Sequence, residues 1–499
     1  MGKSDAPDRC RRSILGAAVA TLPSLALSQL TPGSQGKDVV VVVPGITGSV
    51  LTARGKDVWN PSAHGLVRAL LTLGSSLGDL RLEGDRADPR PLDDEVIATR
   101  LVDDVHIIPG LWKIDGYSKL YRSLAASPGI RAGENLFAFP YDWRRDNRAS
   151  ALQLQISAHQ WLKTWRERSG IADSKLIILA HSMGGLVARH YIECLDGWRD
   201  TRKLITFGTP FRGSLNALRF LHAGPGALVD SIGLVDLGSL VRSFTSVYQL
   251  LPVYPCVLDG NVAKRPVELV GVRNLDSNMV RQAAEFHRDL DVAVVANRRS
   301  EGFLSAQYAL RPVVGVDQTT TQVARLNGKE LTFESDDPQG PSDGDGTVPR
   351  PSATPLELQG TEAELFVSEI HGSLQNSDSV ITQVRSQLKD SQYDWKRYRS
   401  VGRNPSMSVP DVVIAGSDLD LSGALDLEKF SDEMEIEVTE AYSGRAIGKP
   451  TIMVDKSGTY RATMQIPSVG ILRVRARFAR RASPDLVTLA DVVCVMAKR

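Results

Sequence analysis

Lys175-Leu176-Ile177-Ile178-Leu179-Ala180-His181-Ser182-Met183-Gly184-Gly185 is the stretch from which the rest of the chain can be read. Its first half is an apolar run without alternation, the pattern of a strand buried on both faces. A serine between small residues follows, and then Gly185 to Leu195 has helical character. A serine there sits on a turn so sharp that its neighbours must be small, and here they are Ala180 and Gly184. Ala180 stands where glycine is usual and still lets strand and helix approach. An ordinary strand–helix turn would leave Gly184-Gly185 unexplained, because glycine is a poor residue for a helix start. The stretch therefore reads as a nucleophile elbow with Ser182 at its tip.

Working outward, Val39 to Val43 is an unbroken β-branched run stopped by Pro44-Gly45, a second doubly buried strand. Leu204 to Phe207, Val313 to Val316 and Leu365 to Val367 read as further strands between helical stretches. Strands alternating with helices predict an α/β fold with a parallel-rich sheet. Two segments fit poorly, about 51–109 and 215–260. Both are rich in Leu, Gly and Val and are expected as cap or lid insertions. After Asn404-Pro405 the pattern changes to short alternating runs, such as Met434 to Val438 and Leu472 to Arg477, with a turn at Asp455-Lys456-Ser457-Gly458. The expectation is an α/β-hydrolase over residues 38–400 and a small all-β sandwich-like domain over 408–499. The length of 499 residues suits one large core plus a smaller one.

A serine hydroxyl needs a base, and in this fold the order along the chain is serine, acid, histidine. His371 is the only histidine in the last third of the chain and follows the strand-like Leu365 to Val367. The acid is sought in Asp343-Gly344-Asp345-Gly346-Thr347-Val348-Pro349, whose glycines allow a tight loop. Asp345 is preferred and Asp343 is the runner-up. A calcium loop is the competing reading of this segment, but the later ligands of an EF-hand are missing. An oxyanion needs two donors. The backbone N–H of Met183 is one. The N–H of Ile46, in Pro44-Gly45-Ile46-Thr47-Gly48, is chosen as the other, although that segment also reads as a plain turn.

Five segments then resemble the lecithin:cholesterol acyltransferase-like family. They are Val43 to Ser49, Pro140-Tyr141-Asp142-Trp143-Arg144, Ala180 to Gly185, Gly208-Thr209-Pro210-Phe211-Arg212-Gly213-Ser214, and Asp343 to Pro349. The resemblance spans about residues 38–388. It implies a lipase or acyltransferase with Ser182, Asp345 and His371 as triad and Ile46 and Met183 as oxyanion donors. The cysteine-closed lid of the family's secreted animal members is missing, since there is no cysteine between Cys10 and Cys194. Tyr141 and Trp143 are possible substrate-pocket residues. The favoured reading is structural, with Trp143 packed and Asp142 paired to an arginine.

The expected function is serine-dependent lipid acyl hydrolysis or O-acyl transfer. The alternatives are a non-lipid esterase or amidase of the same fold, or an inactive lipid-binding module. No cofactor and no metal are expected. A net charge of +1 argues against a nucleic-acid partner. A lipid or other ester is the expected partner, with peripheral membrane-surface contact through the lid. Cys194 and Cys256 read as free buried thiols in preference to a bridge. Residues 1–37 read as a signal-like or disordered segment. There Arg11-Arg12-Ser13-Ile14-Leu15 resembles a twin-arginine signal and predicts export, and a basic tail on a cytoplasmic protein is the alternative.

Overall fold

The computed structural model describes residues 36–60, 78–103, 106–108, 112–224, 237–306, 308–335, 343–359, 361, 363–389, 404–481 and 486–497. The Arg11-Arg12 signal, the Leu66 to Leu71 run and the apolar residues between 227 and 235 lie outside them.

Six parallel strands form the central sheet: β1 (Val39–Val43), β2 (Leu136–Ala138), β3 (Leu176–His181), β4 (Thr201–Phe207), β5 (Ala309–Val316) and β6 (Leu365–Ser368). Their order across the sheet is β6-β5-β4-β3-β1-β2, and every pairing is parallel. The valine run of β1 shows why no alternation is visible. Val39, Val41 and Val43 enter one apolar cluster, while Val40 and Val42 enter the other. The first cluster is roofed by helices α2 (Asn147–Ser169) and α3 (Met183–Cys194). The second is closed by α1 (Ser118–Ala125) and α6 (Asp378–Lys389). Between α3 and α6 the chain also forms α4 (Leu215–Ala223) and α5 (Ser277–Asn297). The edge strand β2 was not foreseen, because three residues are too few to show a period.

The two insertions differ from the expected lids. Ser49–Ala53, Lys56–Trp59 and Val96–Leu101 form a small antiparallel sheet. From the second insertion, Leu218, Phe220, Leu221, Phe244, Val247, Tyr248 and Leu251 are all buried in the first central cluster. These described side chains pack into the core, as apolar helices usually do.

The C-terminal part is built from two sheets. One has the order β7 (Val412–Ile414), β14 (Leu486–Met496), β13 (Gly470–Arg480), β9 (Phe430–Glu440), β10 (Ala446–Gly448). The other comprises β8 (Asp418–Ala424), β12 (Thr459–Gln465) and β11 (Thr451–Val454). Here alternation is visible: Val474, Ala476 and Phe478 fill the core between the sheets, and Arg473, Arg475 and Arg477 take the other face. Cys194, Cys256 and Cys494 are free thiols. Among the described residues no helix is long and apolar enough to cross a membrane.

Candidate active site

Ser182 lies between the end of β3 and the start of α3 with φ 51° and ψ −126°, in the positive-φ region that side-chain-bearing residues avoid. The surroundings hold it there. Its amide donates to the Phe207 carbonyl at 2.9 Å. A Cβ on Gly184 would run into the carbonyl of Pro44, and one on Gly45 would lie 2.9 Å from the Ser182 Cβ. Only glycines at these two positions let the loop after β1 lie against the elbow.

His371 begins the turn that follows β6, and its Nε2 is 2.9 Å from the Ser182 Oγ. Its Nδ1 is 2.7 Å from Asp345 Oδ2. The other oxygen of Asp345 accepts the amides of Thr347 at 3.0 Å and Val348 at 2.7 Å. Asp345, His371 and Ser182 are 0%, 3% and 4% exposed, so their bonds are shielded from water. Asp343 is placed differently. It is paired across to Thr319 in a short ladder, with its carboxylate 3.6 Å from Arg350. Among the described residues no group of three or more His, Cys, Asp or Glu is arranged to hold a metal ion.

Ile46 and Met183 are both fully buried, on the loop against the elbow and at the first position of α3. An amide at a first helical position has no partner within its helix. Tyr141 and Trp143 are each 1% exposed. The Tyr141 hydroxyl donates to the Pro44 carbonyl at 2.9 Å, and the Trp143 indole donates to the Ser49 carbonyl at 3.1 Å. Arg144 is fully buried, 2.7 Å from Asp142 and 2.8 Å from Asp94. The Pro140 to Arg144 segment thus braces the loop that carries Ile46.

Gly208 was read as the end of a strand and the start of a family-like segment, with no role in the site, yet the site depends on it. Its φ is +57°, and a Cβ there would sit 2.7 Å from Asp345 Oδ2 and 2.9 Å from His371 Nδ1. Its place directly after β4 was the available signal.

The histidine turn is also held by the C-terminal sheets. Ile370 belongs to their apolar cluster. The Ser373 hydroxyl donates to the Ala490 carbonyl of β14 at 3.0 Å, and the Gly372 carbonyl accepts the Asp115 amide at 2.9 Å. Two residues before Asp115, Lys113 Nζ lies 3.0 Å from both Asp411 and Asp491. Burial works against that ammonium, and the two carboxylates outweigh it, so its pKa is raised. A cleft between the C-terminal sheets and the α/β unit lies behind this turn, lined by Lys119, Glu369, Arg473 and Arg475. The nucleophile does not line it.

A strained serine turn at the end of a parallel strand, a histidine on its Oγ and a carboxylate behind that histidine define the architecture of a serine α/β-hydrolase. The comparisons narrow the class. Residues 109–338 match the family model for lecithin:cholesterol acyltransferase. Phospholipase A(1) LCAT3 of Arabidopsis thaliana is 30% identical over 217 residues, which is 39% of this chain and 44% of that one. The lysosomal phospholipase A and acyltransferase of Homo sapiens is 27% identical over 130 residues, 25% of this chain and 30% of that one. The matches therefore span less than half the length of these relatives. Among solved structures, the mature Bacillus licheniformis lipase BlEst2 aligns over 71% of this chain and 92% of that one, at 14% identity and a TM-score of 0.30, too remote to carry weight. Over residues 109–338 the chain is thus similar to the lecithin:cholesterol acyltransferase family, on the fold of an α/β-hydrolase.

Proposed function

We propose that this protein cleaves lipid esters through an acyl-enzyme on Ser182 and passes the acyl group to water or to an alcohol. The observation that carries the proposal is the pair of contacts at His371, 2.9 Å to Ser182 Oγ and 2.7 Å to Asp345 Oδ2.

His371 Nε2 takes the hydroxyl proton as Ser182 Oγ attacks the ester carbonyl carbon. Asp345 accepts the Nδ1–H, fixes the tautomer and stays ionised while the imidazolium forms. The carbonyl oxygen becomes an oxyanion facing the Ile46 and Met183 amides. Collapse of the tetrahedral species breaks the ester C–O bond, and the leaving alkoxide takes the proton from Nε2. Water or an alcohol then attacks the acyl carbon, gives its proton to His371, and Ser182 recovers it. Which acceptor reacts depends on water exclusion and on the positioning of the alcohol. Tyr141 and Trp143 frame the oxyanion loop in this reading.

Peripheral contact with a lipid surface is part of the proposal. It rests on Val262 in the β-hairpin Val257–Lys264 and on Val267 and Val270 between that hairpin and helix α5, which are 59%, 40% and 87% exposed. Export directed by Arg11-Arg12 is proposed separately, and cell fractionation of an Arg11→Lys, Arg12→Lys chain tests it.

The deciding experiment incubates the protein with acyl-labelled phospholipid, with and without a long-chain alcohol. Labelled fatty acid is expected, and labelled ester in addition when alcohol is present. A fluorophosphonate probe should label the protein but not its Ser182→Ala variant. Labelling of that variant would overturn the assignment of the nucleophile.

A further inference from the structure

A buried chain of hydrogen bonds runs from the oxyanion loop to the backbone of the base. The Gly45 amide donates to the Tyr117 hydroxyl at 2.7 Å. The same oxygen is 2.9 Å from His181 Nδ1. On the far side of that ring, His181 Nε2 is 3.0 Å from the His371 carbonyl. Tyr117 and His181 are each 1% exposed, and their rings meet edge to face at a centroid distance of 5.8 Å.

The direction of every proton in this chain follows from the partners. A carbonyl only accepts, so His181 Nε2 carries hydrogen and donates to His371. In the neutral ring Nδ1 is then an acceptor, so the Tyr117 hydroxyl donates to it. The tyrosine oxygen keeps a lone pair for the Gly45 N–H. Burial pushes the Tyr117 hydroxyl well above its ordinary pKa, against the opposing pull of the Gly45 amide, so the donor keeps its proton. Each link has one orientation, and none competes with water.

We infer that Tyr117 and His181 are positioning residues that set the oxyanion loop and the catalytic base in register. Gly45 precedes Ile46, whose amide faces the oxyanion in the proposed mechanism, and His371 holds the general base. The inference therefore rests on that mechanism. Space at this point is tight: a Cβ on Gly45 would be 3.2 Å from His181 Nδ1, and one on Gly48 would be 2.9 Å from the Tyr117 hydroxyl. The two halves of the site come from distant stretches of chain, and this relay joins them through side chains that do not touch the reacting atoms. Its geometry matters most in the transition state, when the oxyanion and the imidazolium are both charged. Small displacements of such groups cost rate without weakening ground-state binding.

The test uses the full chain and a soluble short-chain p-nitrophenyl ester. Tyr117→Phe keeps the ring and removes both hydrogen bonds. The expected result is a kcat reduced about 10- to 100-fold with KM within about twofold. Fluorophosphonate inactivation should slow by a similar factor and the melting temperature should change little. The doubly substituted Tyr117→Phe, His181→Asn protein should lose little more than the worse single variant, because both break one chain. His181→Gln retains an N–H toward the His371 carbonyl and should keep more activity than His181→Ala. An unchanged kcat in Tyr117→Phe overturns the inference. So does a loss confined to KM, or one that only follows a reduced folded fraction. Probe labelling of Ser182→Ala would instead bring down the underlying mechanism, whatever Tyr117→Phe does.

Discussion

Ser182 and His371 are 2.9 Å apart, yet the turns beneath them are built differently. The serine turn is set where β3 meets α3, by Gly184, by Gly45 on the loop after β1 and by the Phe207 carbonyl of β4, all at the ends of neighbouring strands of the central sheet. The histidine turn draws on Asp345, on the Lys113 to Asp115 segment, and on the C-terminal sheets, whose apolar cluster takes in Ile370 and whose β14 supplies Ala490 and Asp491. One catalytic group is thus held within the central sheet, and the other also by contacts from the C-terminal sheets. Substitutions on the nucleophile side should act on chemistry with the fold intact, whereas those on the base side should move stability and chemistry together.

The sharpest probe of the first half is Ser182→Ala, expected to lower kcat by about 10⁴- to 10⁶-fold with an unchanged melting transition. A large fall in melting temperature would show that the Ser182 side chain also supports the fold. Next comes the contrast between the two acids. Asp345→Asn should cost about 10³-fold or more in kcat, because the imidazole loses its tautomer and orientation, while Asp343→Asn should cost less than about tenfold. Equal losses would shift the acid's role onto the whole loop.

On the base side, Asp491→Ala leaves the Lys113 ammonium with Asp411 as its remaining acidic partner among the described contacts. Chemical denaturation should show a loss of about 2–3 kcal/mol, together with a several-fold lower kcat in the protein that remains folded. If stability falls and kcat of the folded fraction does not, the C-terminal sheets support the fold without steering the base.

Stability alone, and not kcat, is expected to respond at Glu369, two residues before His371 and 6% exposed. Burial pushes its carboxyl up to about 8, despite the bond it accepts from the Ile370 amide. The native state therefore binds a proton that the unfolded chain releases above its ordinary carboxyl range. Between about pH 4.5 and 8 this group makes stability fall as pH rises, and the cost levels off above 8. Glu369→Gln should flatten that slope in melting temperature measured against pH. An identical slope in the variant would mean that Glu369 is already ionised at neutral pH.

The same division separates what was readable in the sequence from what was not. The elbow, the valine run of β1, and the alternation of β9 and β13 are local patterns, so strand type and fold class followed from them. Asp345 and His371 were reached by chain order, a rule of the fold and not of their neighbours. Tyr117, His181 and Gly208 were not singled out, because each matters through partners brought near only by folding. The second insertion shows the opposite error. Its apolar residues, Phe220, Val247 and Leu251 among them, look too many for a solvated loop and suggest a lid, and their side chains lie in the central core. Composition alone does not distinguish a face turned inward from one turned to lipid.

The contact between Ser373 and Ala490 also sets an order in time. Ribosomes extend a chain at about 5–20 residues per second, and N-terminal parts fold first. The serine turn therefore emerges on the order of 15 to 60 s before β14 can dock behind the histidine turn. Until that last strand arrives, the nucleophile is present and its base lacks its backing. The distance along the chain from Ser182 to β14 thus acts as a timer on the reactive serine.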